Sequence, residues 1–65
     1  MRPASTAFKV FMVLKRVRVA RLRDITRETG VDKFKVYSAL KTLEKRGLVK
    51  KLDGGVYMLV SEIWH

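Results

Sequence analysis

The stretch RLRDITRETGVDKFKVYSALKTLEKRGLVKK (residues 21–51) decides the fold. At its centre stands Gly30-Val31-Asp32. Asp32 is a strong helix N-cap, because its short carboxylate accepts from the free N–H groups of a first turn. After it, Val36, Ala39, Leu40 and Leu43 recur at i, i+3, i+4 and i+7, the spacing of one helical face. Gly47 ends this helix, and Lys45 and Arg46 in the last turn suit the negative end of the helix dipole. The spacing therefore predicts a helix over about 33–46. Before the turn, residues 22–29 read as a shorter helix with Leu22, Ile25 and Thr29 inward. Gly30 supplies the positive φ that stops it. Two helices joined by a short turn containing glycine can cross steeply.

Outward from this stretch the signals stay local. In LVKKLDGGVYMLV (residues 48–60), two β-prone runs flank Asp53-Gly54-Gly55, which predicts a hairpin. Alternation sets Leu48, Lys50 and Leu52 on one side of its first strand and Val49 and Lys51 on the other. A short tail, residues 61–65, carries the only tryptophan, Trp64. On the N-terminal side, STAFKVFMVLKRV (residues 5–17) predicts a helix capped by Ser5 or Thr6. Ala7, Val10, Phe11, Leu14 and Val17 share one face. Phe8 and Met12 stand beside that face, and Val13 flanks it on the other side. Val17 to Ala20 reads as a short extended segment. Pro3 and the glycines are the punctuation. The expected order is α-β-α-α-β-β, mainly α with a small β-hairpin, in a single domain over residues 1–65.

Composition narrows the function. With 65 residues the chain holds one domain and a small core. Fifteen Lys+Arg against six Asp+Glu leave a formal charge of +9, yet 48% of residues are hydrophobic, too many for a disordered basic tail. No apolar run approaches the ~20 residues of a membrane-spanning helix. The N-terminal residues do not read as a signal peptide, because Lys9, Lys15 and Arg16 interrupt the apolar stretch. Cysteine is absent, and so are Asn and Gln. That joint absence fits selection against heat-labile side chains and points to a thermophile. Heat adaptation usually balances lysine with glutamate, so it does not explain the charge. A polyanionic partner does. The carboxylates Asp24, Glu28, Asp32, Glu44, Asp53 and Glu62 are scattered, and the one histidine is His65. No nucleophile–base pair is available, so the expectation is a protein that is not an enzyme and needs no metal or cofactor.

The element order and the run over residues 21–51 resemble the winged helix-turn-helix family of DNA-binding domains, in the form found in small archaeal and prokaryotic regulators. Ile25 matches the inward residue of the first motif helix, Gly30 the turn, and Val31 the residue after it. Val36, Leu40 and Leu43 match the core of the second helix, and LEKRGLV (residues 43–49) the exit into the wing. The likeness covers roughly residues 18–60. Asp32 stands where the family often has Ser, and Arg21 where it often has a Ser or Thr cap. The resemblance implies a transcriptional regulator with helix 33–46 in the major groove of double-stranded DNA and the hairpin on the backbone or minor groove beside it.

The residues themselves agree. With Val36 inward, Phe34, Ser38, Lys41 and Lys45 point outward, Tyr37 lies beside them, and Lys33 and Lys35 stand at the N-terminal end. Lysine can meet guanine edges or phosphate, Ser38 can hydrogen-bond either, and Phe34 can pack on a thymine methyl. The major-groove candidates are thus Lys33, Phe34, Lys35, Tyr37, Ser38 and Lys41, unless Phe34 and Tyr37 only cover neighbouring core. A second cluster holds Lys15, Arg16, Arg18, Arg21, Arg23 and Arg27. Arginine suits phosphate. The phosphate candidates are Arg18, Arg21, Arg23, Lys45, Lys50 and Lys51, whereas Arg27 can pair with Asp24 or Glu28.

Phe8, Met12 and Trp64 are an apolar surplus. They are candidates for a homodimer interface, or else they close the core of a monomer. A homodimer would double the footprint on a palindromic site. The location expected is the cytoplasm, on the nucleoid. Two rival readings stand beside the regulator: a winged-helix module that docks a protein, and a chromatin protein tolerant of sequence.

Overall fold

In a computed structural model, which describes residues 5–64, Ser5 opens the first helix. Its Oγ accepts from the Phe8 N–H at 3.1 Å, so Ser5 rather than Thr6 is the cap. Pro3 and His65 lie outside the described residues. The elements are α1 (Thr6–Val17), β1 (Val19–Arg21), α2 (Leu22–Thr29), α3 (Lys33–Lys45), β2 (Val49–Leu52) and β3 (Val56–Leu59). The order is the α-β-α-α-β-β of a winged helix-turn-helix. The three strands form one antiparallel sheet in the order β1-β3-β2, so the first strand closes on the far side of the hairpin.

The junctions follow from backbone chemistry. Arg18 leaves α1 at φ 73°, and its N–H still donates to the Leu14 carbonyl at 2.8 Å. Its own carbonyl accepts from the Leu59 N–H at 2.8 Å, which ties the end of α1 to the end of β3. This turn corrects two expectations. Val17 is 43% exposed instead of inward, because the chain swings away there, and the extended segment begins at Val19. Arg21 starts α2 with no side-chain cap. Gly30 ends it at φ 69°, donating to the Thr26 carbonyl. Thr29 turns its hydroxyl back to donate to the Ile25 carbonyl at 2.8 Å and accepts from the Val31 N–H at 3.3 Å. The turn between α2 and α3 is thereby hydrogen-bonded from both sides.

Asp32 caps α3 through Oδ2, which accepts from the Phe34 N–H at 3.1 Å. At the other end the Gly47 N–H reaches the Glu44 carbonyl and the Leu48 N–H reaches the Leu43 carbonyl. These two bonds, with Gly47 at φ 74°, are the Schellman closure of a helix. It places α3's end at Lys45, one residue before the expected boundary. It also explains why Leu48 and Val49 are both buried. Leu48 belongs to the helix cap and packs inward with Leu43; strand alternation starts only at Val49, which pairs with Leu59.

The core is one cluster. α1 gives it Val10, Phe11 and Leu14, α2 gives Ile25, and α3 gives Val36, Ala39, Leu40 and Leu43. Leu48, Val49, Tyr57 and Leu59 close it from the sheet side. Burying a Leu or Ile side chain contributes roughly 1.5–3 kcal/mol, so α2, with one fully buried residue, is held mainly by Ile25 and by its neighbours. The opposite face of α3 lies outside this cluster.

Candidate nucleic-acid interface

Four buried residues, Val36, Ala39, Leu40 and Leu43, fix the rotation of α3. That rotation turns Lys33, Phe34, Lys35, Tyr37, Ser38, Lys41 and Lys45 to solvent together. Phe34 is 70% exposed and Tyr37 39% exposed, so neither ring is a core residue. Each ring carries a lysine: the Lys33 ammonium lies 5.5 Å from the Phe34 centroid, and that of Lys41 lies 5.4 Å from the Tyr37 centroid. Such pairs hold long side chains near one place through the ring quadrupole. The Ser38 carbonyl accepts from the Thr42 hydroxyl at 3.2 Å, and the Ser38 side chain is exposed.

The hairpin sits beside this face. Lys50 and Lys51 are exposed on β2, opposite Met58 and Tyr57 of β3. Burial pushes the Tyr57 hydroxyl above its ordinary value of 10.0; the proximity of Tyr37 and Glu44 pushes the same way, and Lys41 opposes. Tyr57 therefore stays neutral beneath a cationic surface and supports it by packing.

Acids match part of the basic surface. All three ion pairs given by the described residues lie on α1, α2 and the tail: Arg16 with Glu28 at 2.9 Å, Arg18 with Glu62 at 2.8 Å, and Arg27 with Asp24 at 3.7 Å. The expected basic cluster is thus half matched by acids. Arg18 is engaged by Glu62, and Arg27 takes Asp24, because Glu28 is taken by Arg16 twelve residues away. Among the described residues, Arg21 and Arg23 are exposed without such a carboxylate. α3 and β2 carry six lysines, and over residues 32–53 the acids are Asp32, committed to its cap, Glu44 and Asp53.

Two of the three surplus apolar residues turn inward. Phe8 meets Trp64 edge to face, and Phe11 meets Trp64 at 5.2 Å between centroids. The Arg46 guanidinium lies 5.3 Å from the same indole. Met12 alone of the three is largely exposed, at 46%. With Val13, Arg16 and Glu28 it lines an open groove of about 320 Å³. The adjoining groove, about 250 Å³, is lined by Val13, Val17, Val19 and Ala20 with Asp24, Arg27 and Glu28. The sequence reading missed Val17 and Val19 here, because their exposure follows from the turn at Arg18.

Among the described residues no group of three His, Cys, Asp or Glu side chains is placed to hold a metal ion. No described helix is long and apolar enough to cross a membrane.

A helix-turn-helix with a three-stranded wing and a lysine-rich outer helix face defines a winged-helix DNA-binding domain. Over residues 5–62 the chain matches the family described as the sugar-specific transcriptional regulator TrmB, and it belongs to that family. It is a DNA-binding domain of the transcription-regulator kind, from a family of regulators rather than enzymes. No curated protein and no solved structure matches it.

Proposed function

We propose that the chain binds double-stranded DNA by laying α3 in the major groove, with β2 and β3 against the adjacent backbone, and so occupies operators in the cytoplasm, on the nucleoid. The observation that carries this reading is the outer face of α3: burial of Val36, Ala39, Leu40 and Leu43 turns Lys33, Phe34, Lys35, Tyr37, Ser38 and Lys41 to solvent as one basic and aromatic surface, with Lys50 and Lys51 exposed on β2. Lys33, Lys35 and Lys41 meet bases or phosphates near the N-terminal half of α3. Lys45, Lys50, Lys51, Arg21 and Arg23 meet phosphates, because positioning contacts come from cations around the reading helix. Arg18 joins them where DNA competes with Glu62 for its guanidinium. The missing Asn, Gln and Cys extend the reading to a heat-adapted source.

The test is fluorescence anisotropy of the chain with a labelled random-sequence duplex over roughly 50–300 mM salt. Each cation on a phosphate adds about 0.9 to the log–log salt slope, so five or six contacts give a slope near −5. No binding at the lowest salt sinks the proposal and favours a protein-docking module. Binding with no preference among sequences favours the chromatin role.

A second reading concerns assembly. We infer that the chain is a homodimer through Met12, Val13, Val17 and Val19, the apolar groove whose bordering charges are already paired. Two copies at +9 repel over their basic surfaces, and this face offers apolar contact with balanced charge. Phe8 and Trp64 support it from behind rather than by direct contact. Sedimentation of Val17→Glu decides the matter: monomers are expected, and a dimer unchanged by it would reject this face.

A further inference from the structure

We propose that α3 selects thymine, and does so with two ring–ammonium pairs, Phe34 with Lys33 and Tyr37 with Lys41. This rests on the DNA-binding reading above and names what that face reads.

The argument begins with what the chain lacks. Adenine is read by the paired donor and acceptor of Asn or Gln, and this sequence contains neither residue. Guanine is read by an arginine fork or by lysine; α3 carries no arginine, Arg46, just past it, lies over Trp64, and the lysines Lys33 and Lys41 lie over aromatic rings rather than standing alone. Cytosine offers a donor that a carboxylate would accept. Asp32 is spent on capping the helix, and Glu44 lies in the C-terminal part of α3, away from the end that meets bases in helix-turn-helix proteins. What the N-terminal half of α3 does present is aromatic surface beside ammonium groups.

Thymine is the base that such a surface fits. Its major-groove edge sets a C5 methyl next to the O4 acceptor, a combination no other standard base shows. The methyl packs on the side of the Phe34 ring that carries the Lys33 ammonium, 5.5 Å from the ring centre, so that O4 beside it accepts from that ammonium. Phe34 is the second residue of α3 and 70% exposed, whereas Phe11 and Tyr57 are buried. Nothing in the fold needs an exposed phenyl ring there. Tyr37 and Lys41 repeat the pair at 5.4 Å. Three residues separate the two rings, about 4.5 Å along the helix axis. That is close to one base step of about 3.4 Å, so the two pairs address thymines in neighbouring base pairs. 5-Methylcytosine keeps the methyl but replaces O4 with an amino donor, which faces the ammonium unfavourably.

The experiment selects duplexes from a random library with the full chain. The best site is then remade with deoxyuridine, and separately with 5-methylcytosine opposite guanine, at each thymine in turn. Uracil removes the methyl alone. At two neighbouring positions it is expected to weaken binding about fourfold each, the fold-change of one buried methyl group. 5-Methylcytosine is expected to weaken it further. Phe34→Ala, an exposed position, is expected to abolish uracil sensitivity at one of the two positions with no change in melting temperature. Selected sites without neighbouring thymines, or uracil tolerated throughout by a chain that still binds duplex, would overturn the thymine reading and leave DNA binding standing. No binding to any duplex would overturn both.

Discussion

The rings of Phe8 and Trp64 meet edge to face, with centroids 5.2 Å apart and planes at 84°. This contact fastens the C-terminal tail to α1, because Trp64 also packs against Phe11 and the buried core cluster. The tail is thereby part of the fold. Trp64→Ala removes a half-buried indole, and the expected loss is about 2 kcal/mol, below the range for fully buried aromatics. In a domain of this size that lowers the melting temperature by about 10 °C, which calorimetry would detect. A change within two degrees would mean that the tail adds nothing.

Gly47 sits at φ 74° with open space where a Cβ would lie. Its replacement by Ala therefore meets no clash, and the cost is conformational: about 1–2 kcal/mol for a left-handed residue with a side chain. Urea unfolding of Gly47→Ala should show a lower midpoint and an unchanged m-value. DNA affinity, measured below the melting range, should not change, since the carbonyls of Leu43 and Glu44 keep their donors.

Arg21, the cap position of α2, and Arg23 in its first turn are exposed, and on the proposed reading they meet the DNA backbone. Replacing both by Ala should weaken all duplexes alike and reduce the salt slope by about 2, one unit per lost phosphate contact. Lys33→Ala and Lys41→Ala should instead flatten sequence preference. By contrast, Arg16→Ala breaks an ion pair whose side chains are 63% and 51% exposed. Such a pair contributes under about 1 kcal/mol, so both stability and binding should be nearly unaltered.

Tyr57 gives the chain an alkaline limit. Its folded hydroxyl titrates above 10.0, chiefly because burial disfavours the phenolate. The folded state therefore holds the proton more tightly than the unfolded one. Its contribution is complete below pH 10 and is lost as the pH climbs from there through the folded value. Melting temperatures taken from pH 8 upward should fall beyond pH 10. Tyr57→Phe should match the parent at pH 7 and lose part of that fall; an identical alkaline profile would show that Tyr57 is not its source.

How much of this was legible in the sequence depends on the distance over which each signal acts. Gly30, Asp32 and the spacing of Val36, Ala39, Leu40 and Leu43 act within a turn or two, and they gave the motif helices and their order. They also gave the outward face of α3, because fixing Val36 inward fixes Phe34 and Lys41 outward. What escaped was set by tertiary contact. Val17 obeys helical periodicity, but the φ of Arg18 releases it to solvent. Leu48 and Val49 are buried together because a helix cap and a strand meet there, which a strict alternation cannot show. The partners Glu28 for Arg16 and Glu62 for Arg18 lie 12 and 44 residues away along the chain. Phe8 and Trp64, 56 residues apart, looked like surplus until the fold brought them together.

The most direct test of the claim that α3 is the DNA-reading element is a ¹H–¹⁵N NMR titration of the chain with a short duplex at low salt. The account predicts the largest shift changes over residues 33–41 and at Lys50 and Lys51, with Met12, Val17 and Val19 little affected. Changes concentrated at Met12, Val17 and Val19, with residues 33–41 unmoved, would contradict it.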